Sequence, residues 1–245
     1  MIALAALSDV PEIRPGDDLA VILGEAARRL EGGLQPTDVL AIAHKVVSKA
    51  EGRVVRLAEV FPGWQALELA EQHGKDPHLI QVILDESKEL VRADRGRLIC
   101  RTRHGFVCAN AGVDASNAGA AGTVVLLPED PDESARRLRH ELGCAVVISD
   151  SFGRAWRIGQ CEVAIGCAGL APAEDWRGQT DADGRELAAT VIAIADEVAA
   201  AADLVRRKDS REPAVRVRGL GTHVTIEDGA GAAALVRSPE DDLFR

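Results

Sequence analysis

Residues 144–149, CAVVIS, are an unbroken run of apolar and small side chains. A strand with one wet face alternates apolar and polar residues, whereas a short continuous run of this kind belongs to a strand covered on both faces. The run follows PDESARRLRHELG, which predicts a helix opened by Pro131 or Asp132 and stopped by Gly143. A sheet carrying helices is the frame that such a helix and strand impose.

The other patterns fill in that frame. PGDDLAVILGEAARRLEGG sets Leu19, Ile22, Leu23, Ala26 and Leu30 at helical spacing, with Asp17 and Asp18 placed to cap the first turn and Gly32 to end it. DVLAIAHKVVSKAEG reads as a strand rich in Val and Ile that runs into two lysines and a glycine turn. DPHLIQVILDESKELVRAD predicts one helix, with Leu79, Ile80, Ile83, Leu84 and Leu90 on its apolar face. RLICRTRHGFVCANAG predicts a hairpin turning at Arg103, His104 and Gly105. DGRELAATVIAIADEVAAAADLVRRK predicts a long alanine-rich helix, and AVRVRGLGTHVTIED returns to β pattern before a charged, loose tail over about residues 225–245. Helical and β patterns alternate without a regular βαβ rhythm, so the expected class is α+β, with mixed or antiparallel sheets flanked by helices in two lobes. No repeat, linker or clean boundary divides residues 1–245, and a single domain is expected.

Charge and cysteine usage narrow the function classes. Lys plus Arg total 29 against 39 Asp plus Glu, and a net charge of -10 argues against a generic nucleic-acid binder. Cys100, Cys108, Cys144, Cys161 and Cys167 form no C-x-x-C pair and sit in apolar runs, which predicts buried reduced thiols and a cytoplasmic setting. The N-terminal stretch lacks a basic region and reaches Asp9 and Glu12 too early for a signal peptide. No stretch offers the roughly 18 apolar residues of a membrane span.

The chemistry-bearing residues gather in polar stretches after β-like segments. Asp114, with Ser116 and Asn117, and Asp150, with Ser151, present the hard oxygen ligands that Mg²⁺ or Mn²⁺ prefers. Each aspartate on its own reads as a turn or cap residue, the usual role of an isolated Asp before Ser or Gly. Lys45 and Lys49, with His44 and Ser48, suit a polyphosphate, or else form a solvated basic corner. No G-x-x-x-x-G-K-[ST] occurs and GLGTHV fails the dinucleotide fingerprint, so any nucleotide binds in another way. Arg154 and Arg157 offer planar forks for carboxylate or phosphate, and Trp156 between them reads as a core anchor. H-E-x-x-H and G-x-S-x-G are absent, which removes zinc hydrolysis and serine-esterase chemistry.

Taken in order, GDDL, HKVVSKAEGR, NAGVDASN, DSFGRAWRIGQ and ADEVAAAADLV resemble the CofE family, the coenzyme F420-0:L-glutamate ligases, over about residues 8–220. The resemblance implies a guanine nucleotide along Val10, Pro11, Glu12 and Ile13 and on His44, Lys45, Lys49 and Asn117. It implies divalent metal, Mn²⁺ or Mg²⁺ and two ions in number, on Asp114 and on Asp150 with Ser151, with potassium as a further ion. Another nucleotide-proximal stretch corresponds to Leu204–Arg211, where many relatives carry an acidic or amide ligand at the place of Lys208; a protonated lysine cannot ligate. The implied reaction uses GTP to convert the carboxylate of F420-0 to an acyl phosphate, which the amine of L-glutamate then displaces. Arg154 and Arg157 would meet anionic substrate. The resemblance also implies an intertwined homodimer, and no nitroreductase-like domain is expected. A metal-dependent phosphohydrolase and a non-catalytic nucleotide-binding relative are the competing readings.

Overall fold

The computed structural model describes residues 1–242 of the chain. The first half runs β1 (Ala3–Ala6), α1 (Leu19–Ala27), β2 (Val39–Ala43), α2 (His44–Ala50), β3 (Val54–Arg56), α3 (Trp64–His73) and α4 (Pro77–Asp85). It continues through β4 (Ser87–Asp94), β5 (Arg97–Thr102), β6 (Val107–Ala109) and β7 (Thr123–Val125). The second half runs α5 (Pro131–Leu142), β8 (Ala145–Arg154), β9 (Arg157–Ala168), β10 (Glu174–Asp175), β11 (Val191–Ile192), α6 (Ile194–Asp203) and β12 (Ala214–Arg218). The expected α+β class with mixed and antiparallel sheets is what these elements form.

The main sheet has the order β1-β12-β2-β8-β9, and only β2 and β8 in it pair in parallel. β8 has the two covered faces its sequence requires. Val146 and Ile148 point into a core shared with α1 and α5, while Ala145 and Val147 point into a second core under α6. Ile148 and Val147 are fully buried, and each side chain of that size contributes about 1.5–3 kcal/mol when taken out of water. A third core lies between α3, α4, β5 and β7.

α5 is capped by the Asp130 carboxylate, which accepts from the Glu133 amide at 2.9 Å, with Pro131 in the first turn and Gly143 ending the helix. The cap thus lies just before the two residues the sequence pointed to. The hairpin of β5 and β6 forms as expected, with Cys100 opposite Cys108.

Four stretches fold differently from their patterns. HKVVSKA does not extend β2 but turns at once into α2, so the two lysines are helical. The helix begun at Pro77 stops at Asp85, and SKELVRAD becomes β4, paired with β5. The alanine-rich helix covers only Ile194–Asp203, and the residues before it form turns and β11. The first part of the expected loose tail is docked, as far as Ala233: Asp132 accepts from the amides of Ala232 and Ala233 as well as from that of Cys167, and Arg139 binds Asp228 at 2.7 Å. The last three residues of that tail lie outside the described part.

Candidate active site

The parallel register of β2 and β8 sets up the site. Ala43 pairs with Ser149, so the first residue of α2 stands beside Asp150 where β8 runs on past the end of β2. His44, 2% exposed, brings Nε2 to 3.2 Å from Asp150 Oδ1, outside hydrogen-bond alignment. The same carboxylate oxygen accepts from the Ser151 amide at 2.7 Å. Asp150 is therefore not a loop residue at a strand end, as its sequence suggested. It sits inside a ten-residue strand, opposite Val163 of β9.

One residue further along α2, Lys45 Nζ reaches Asp114 Oδ2 at 2.8 Å and Ser116 Oγ at 2.6 Å. Asp114 is tied to the scaffold by a two-way backbone bridge to Val125, and its Oδ1 accepts from the Ser116 amide at 2.6 Å. Burial acts to raise the Asp114 pKa, but the Lys45 ammonium and the Ser116 hydrogen bonds outweigh it and hold the carboxyl below the usual aspartate range. At the other end of α2, Lys49 is nearly buried and donates to Glu12 Oε1 at 2.5 Å. Within the Val10–Ile13 stretch, Ile13 is buried in the core beneath α1, whereas Pro11 and Glu12 are exposed. One short helix thus gathers three stretches that lie far apart in the sequence. Asn117 stands exposed in a left-handed conformation, two residues along from the loop's Ala115.

The loop that delivers Asp114 is held against its backbone preference. Asn110, Ala111 and Gly112 have φ values of 54°, 54° and 75°, three consecutive left-handed residues. Each non-glycine residue there costs about 1–2 kcal/mol. The turn is kept by burial of Ala111 and by Lys75 Nζ donating to Asn110 Oδ1 at 3.2 Å. A Cβ on Gly112 would lie 2.7 Å from the Leu127 side chain. Gly112→Ala is accordingly expected to destabilise by about 2 kcal/mol through overlap and left-handed strain, and to displace Asp114. Thermal melting measures the first effect, and a drop in turnover at temperatures where the variant stays folded measures the second.

Ser151 and Asp150 do not act as a pair. Successive strand residues leave on opposite faces, so the Ser151 hydroxyl points away from the Asp150 carboxylate. Ser151 Oγ donates instead to Glu162 Oε1, and Lys208 Nζ donates to Ser151 Oγ at 2.9 Å. Glu162 is the residue sequence reasoning missed. It is 4% exposed, accepts from Ser149 Oγ at 2.7 Å and pairs with Arg206 at 2.9 Å. Burial alone would raise its pKa, but the Arg206 charge, the two serine hydroxyls and the Lys208 charge bring it below the ordinary glutamate value. An acid in the run QCEVAIGCA was the one available signal, since an apolar strand tolerates a carboxylate only when partners meet it.

The arginines also fall elsewhere than expected. Arg154 and Arg157 flank the exposed turn between β8 and β9, and Arg154 donates to the carbonyl of Ile158 at 3.0 Å in its own hairpin. Arg154 lies four residues along the strand from Asp150, about 13 Å. Trp156, at 88% exposure and φ 63°, is the turn itself and not a core anchor. Beside the site, burial and the nearby Asp150 charge push the Cys108 thiol up to about 12, so it remains protonated and supplies no nucleophile. All five cysteines are free, and Cys161 is only half-buried.

The donors around α2 fit a hard divalent cation in type: Asp114 and Asp150 are carboxylates, and Mg²⁺ is commonly held by one or two carboxylates with phosphate oxygens and water completing the shell. Among the described residues no three His, Cys, Asp or Glu side chains are placed together to hold a metal ion. Ser151 fits that role only if its contacts to Glu162 and Lys208 are given up. No helix among the described residues is long and apolar enough to cross a membrane.

This arrangement can be compared with known proteins. The chain matches the sequence profile of the F420-0:Gamma-glutamyl ligase family over residues 8–219. It is 47% identical to the coenzyme F420:L-glutamate ligase of Methanopyrus kandleri, with 96% of this chain and 94% of that protein covered. It is 44% identical to the protein of the same name from Methanothermobacter thermautotrophicus, covering 100% and 99%, and 42% identical to that of Methanocaldococcus jannaschii, covering 86% of each. On this match across most of its length, the chain is an enzyme of the F420-0:gamma-glutamyl ligase family.

Proposed function

We propose that the chain adds L-glutamate to coenzyme F420-0 at the expense of GTP. The γ-phosphoryl group passes to the terminal carboxylate of F420-0, breaking its bond to the β-phosphate and forming an acyl phosphate. The glutamate amine then attacks the acyl carbon, phosphate leaves, and the amine proton is lost to solvent, giving an amide, GDP and phosphate and founding the γ-linked glutamyl tail. The observation that carries this reading is the gathering of His44, Lys45 and Lys49 on α2 against Asp150, Asp114 and Glu12.

Phosphoryl transfer asks for positioned charge more than for a protein nucleophile, and correct alignment is worth about 7–11 kcal/mol. Lys45 and Lys49 place two ammonium groups on one side of α2, separated by one helical turn, where phosphate oxygens would replace their present carboxylate partners. Val10–Ile13 and Asn117 would border the nucleotide. Asp114 and Asp150 would hold Mn²⁺ or Mg²⁺, which when bound neutralises phosphate oxygens. The same reading includes a two-lobed chain in an intertwined homodimer in the cytoplasm, where the exposed hairpin bearing Arg154 and Arg157 would reach beyond its own subunit.

Mass spectrometry of the products from purified deazaflavin acceptor, GTP, Mn²⁺ and L-glutamate tests the proposal. A glutamylated product is expected, whereas full-rate phosphate release without glutamate would instead establish a phosphohydrolase. Lys49→Met is expected to raise the Michaelis constant for GTP several-fold while leaving that for L-glutamate near its starting value. Equal changes in both constants would assign Lys49 to folding.

A further inference from the structure

The face of β8 turned toward α6 carries a polar cluster that the reading above leaves unused. Ser151 and Glu162 are cross-strand partners there, joined through the serine hydroxyl. Arg206 and Lys208, from the segment after α6, close over them. Lys208 is 70% exposed, yet its Nζ stands 2.9 Å from Ser151 Oγ, 3.3 Å from Glu162 Oε1 and 3.6 Å from Asp203 Oδ1. A solvated lysine gives up rotamer freedom when held in one place, so an exposed lysine fixed on three oxygens needs a reason.

Charge supplies one. Glu162 and Asp203 carry two negative charges, and Arg206 lies within 4 Å of both, at 2.9 Å and 3.8 Å. Arg206 balances one of them, and the Lys208 ammonium balances the other. Asp203 Oδ1 is buried without a hydrogen bond and faces both cations. Without the ammonium, the set would be two carboxylates and a hydroxyl with one uncompensated negative charge, the kind of oxygen set a divalent ion occupies.

We infer that Lys208 is a tethered cation: its ammonium fills the Ser151, Glu162 and Asp203 oxygens, so that this chain takes one divalent ion fewer than those oxygens would otherwise admit. The inference rests on the proposed metal-dependent reading of the site. It makes Lys208 a positioning residue that fixes the charge on the α6 side of β8 without an exchangeable ion.

Counting bound Mn²⁺ by the loss of the free-ion electron paramagnetic resonance signal tests this on the folded chain without any turnover. Lys208→Met is expected to bind one more Mn²⁺ per chain than the parent, Lys208→Arg the same number as the parent, and Lys208→Met combined with Glu162→Gln to lose the extra ion. Lys208→Gln provides the same comparison if the methionine variant does not fold by circular dichroism. Equal Mn²⁺ counts for the parent and the charge-removing variant overturn the inference, whatever the parent's own count. Asp150→Asn in the parent background separates the two ideas: if it fails to lower the count, the metal reading of Asp150 fails while the Lys208 comparison still stands or falls by its difference.

Discussion

Asparagine at position 150 is expected to remove most ligase turnover and to leave the fold intact. Asp150 is only half-buried, and the amide preserves its size and the hydrogen bond from the Ser151 amide at 2.7 Å, so the strand pairing has no cause to change. What disappears is a negative charge 3.2 Å from His44 Nε2, at the point where the end of β2 and the continuing β8 bring α2 against the main sheet. Removing a single group of this electrostatic kind from a preorganised site lowers turnover by about 10²–10³-fold, or about 2.7–4 kcal/mol of barrier. Initial rates at saturating Mn²⁺, with circular dichroism as the fold control, are the measurement. Turnover within a factor of a few of the parent would strip Asp150 of its assigned part.

Glu162→Gln is expected to have a large effect on stability for a conservative polar change. The glutamine keeps an acceptor for the serine hydroxyls but takes away the nearer counter-charge of Arg206, at 7% side-chain exposure, leaving that cation only Asp203 at 3.8 Å. Breaking one side of a buried pair costs about 3–5 kcal/mol, and for a chain of this size about 1 kcal/mol moves the melting temperature by about 2–4 °C. A fall of about 10 °C follows. The effect also has a sign in pH. Because the folded pKa of Glu162 lies below its unfolded value of 4.5, the contribution is fully present above that value and is lost as pH falls through the folded one. The gap in melting temperature between parent and variant should therefore be wide at neutral pH and narrow in acid. A gap that does not change with pH would mean that the carboxyl is not charged in the folded protein.

Where the residues themselves carry the instruction, the sequence was readable. CAVVIS needs no partner to announce burial on both faces, and Asp130, Pro131 and Gly143 bracket α5 by local backbone chemistry. The errors arose where tertiary contacts decide. HKVVSKA has two adjacent valines that favour a strand, but Val47 is buried in the core between α1 and β8, and helical geometry is what turns His44, Lys45 and Lys49 toward separate partners. SKELVRAD carries helix-forming charged residues and becomes β4 because β5 offers it a ladder. Six of the called site residues, Glu12, His44, Lys45, Lys49, Asp114 and Asp150, do meet around α2. Ser151 left that group because the strand pleat sends it to the other face, a consequence of the strand continuing where a loop was expected. Glu162 was missed for a different reason: beyond an acid in an apolar run nothing local marks it, because its partners Arg206 and Lys208 lie beyond α6 in the chain and only the sheet brings them near.

The parallel pairing of β2 with β8 has a kinetic consequence. Its two strands are separated in sequence by everything from α2 to α5, so their alignment closes a long loop, and such non-local pairing is slow relative to hairpins and helices. His44 cannot approach Asp150 until that loop has closed, since one residue begins where β2 ends and the other sits just past the matching point of β8. Refolding monitored by pulsed hydrogen exchange should therefore protect the amides of the local hairpins β5–β6 and β8–β9 before those bonded between β2 and β8. On the proposed reading, nucleotide affinity should emerge together with the second set and not with the first.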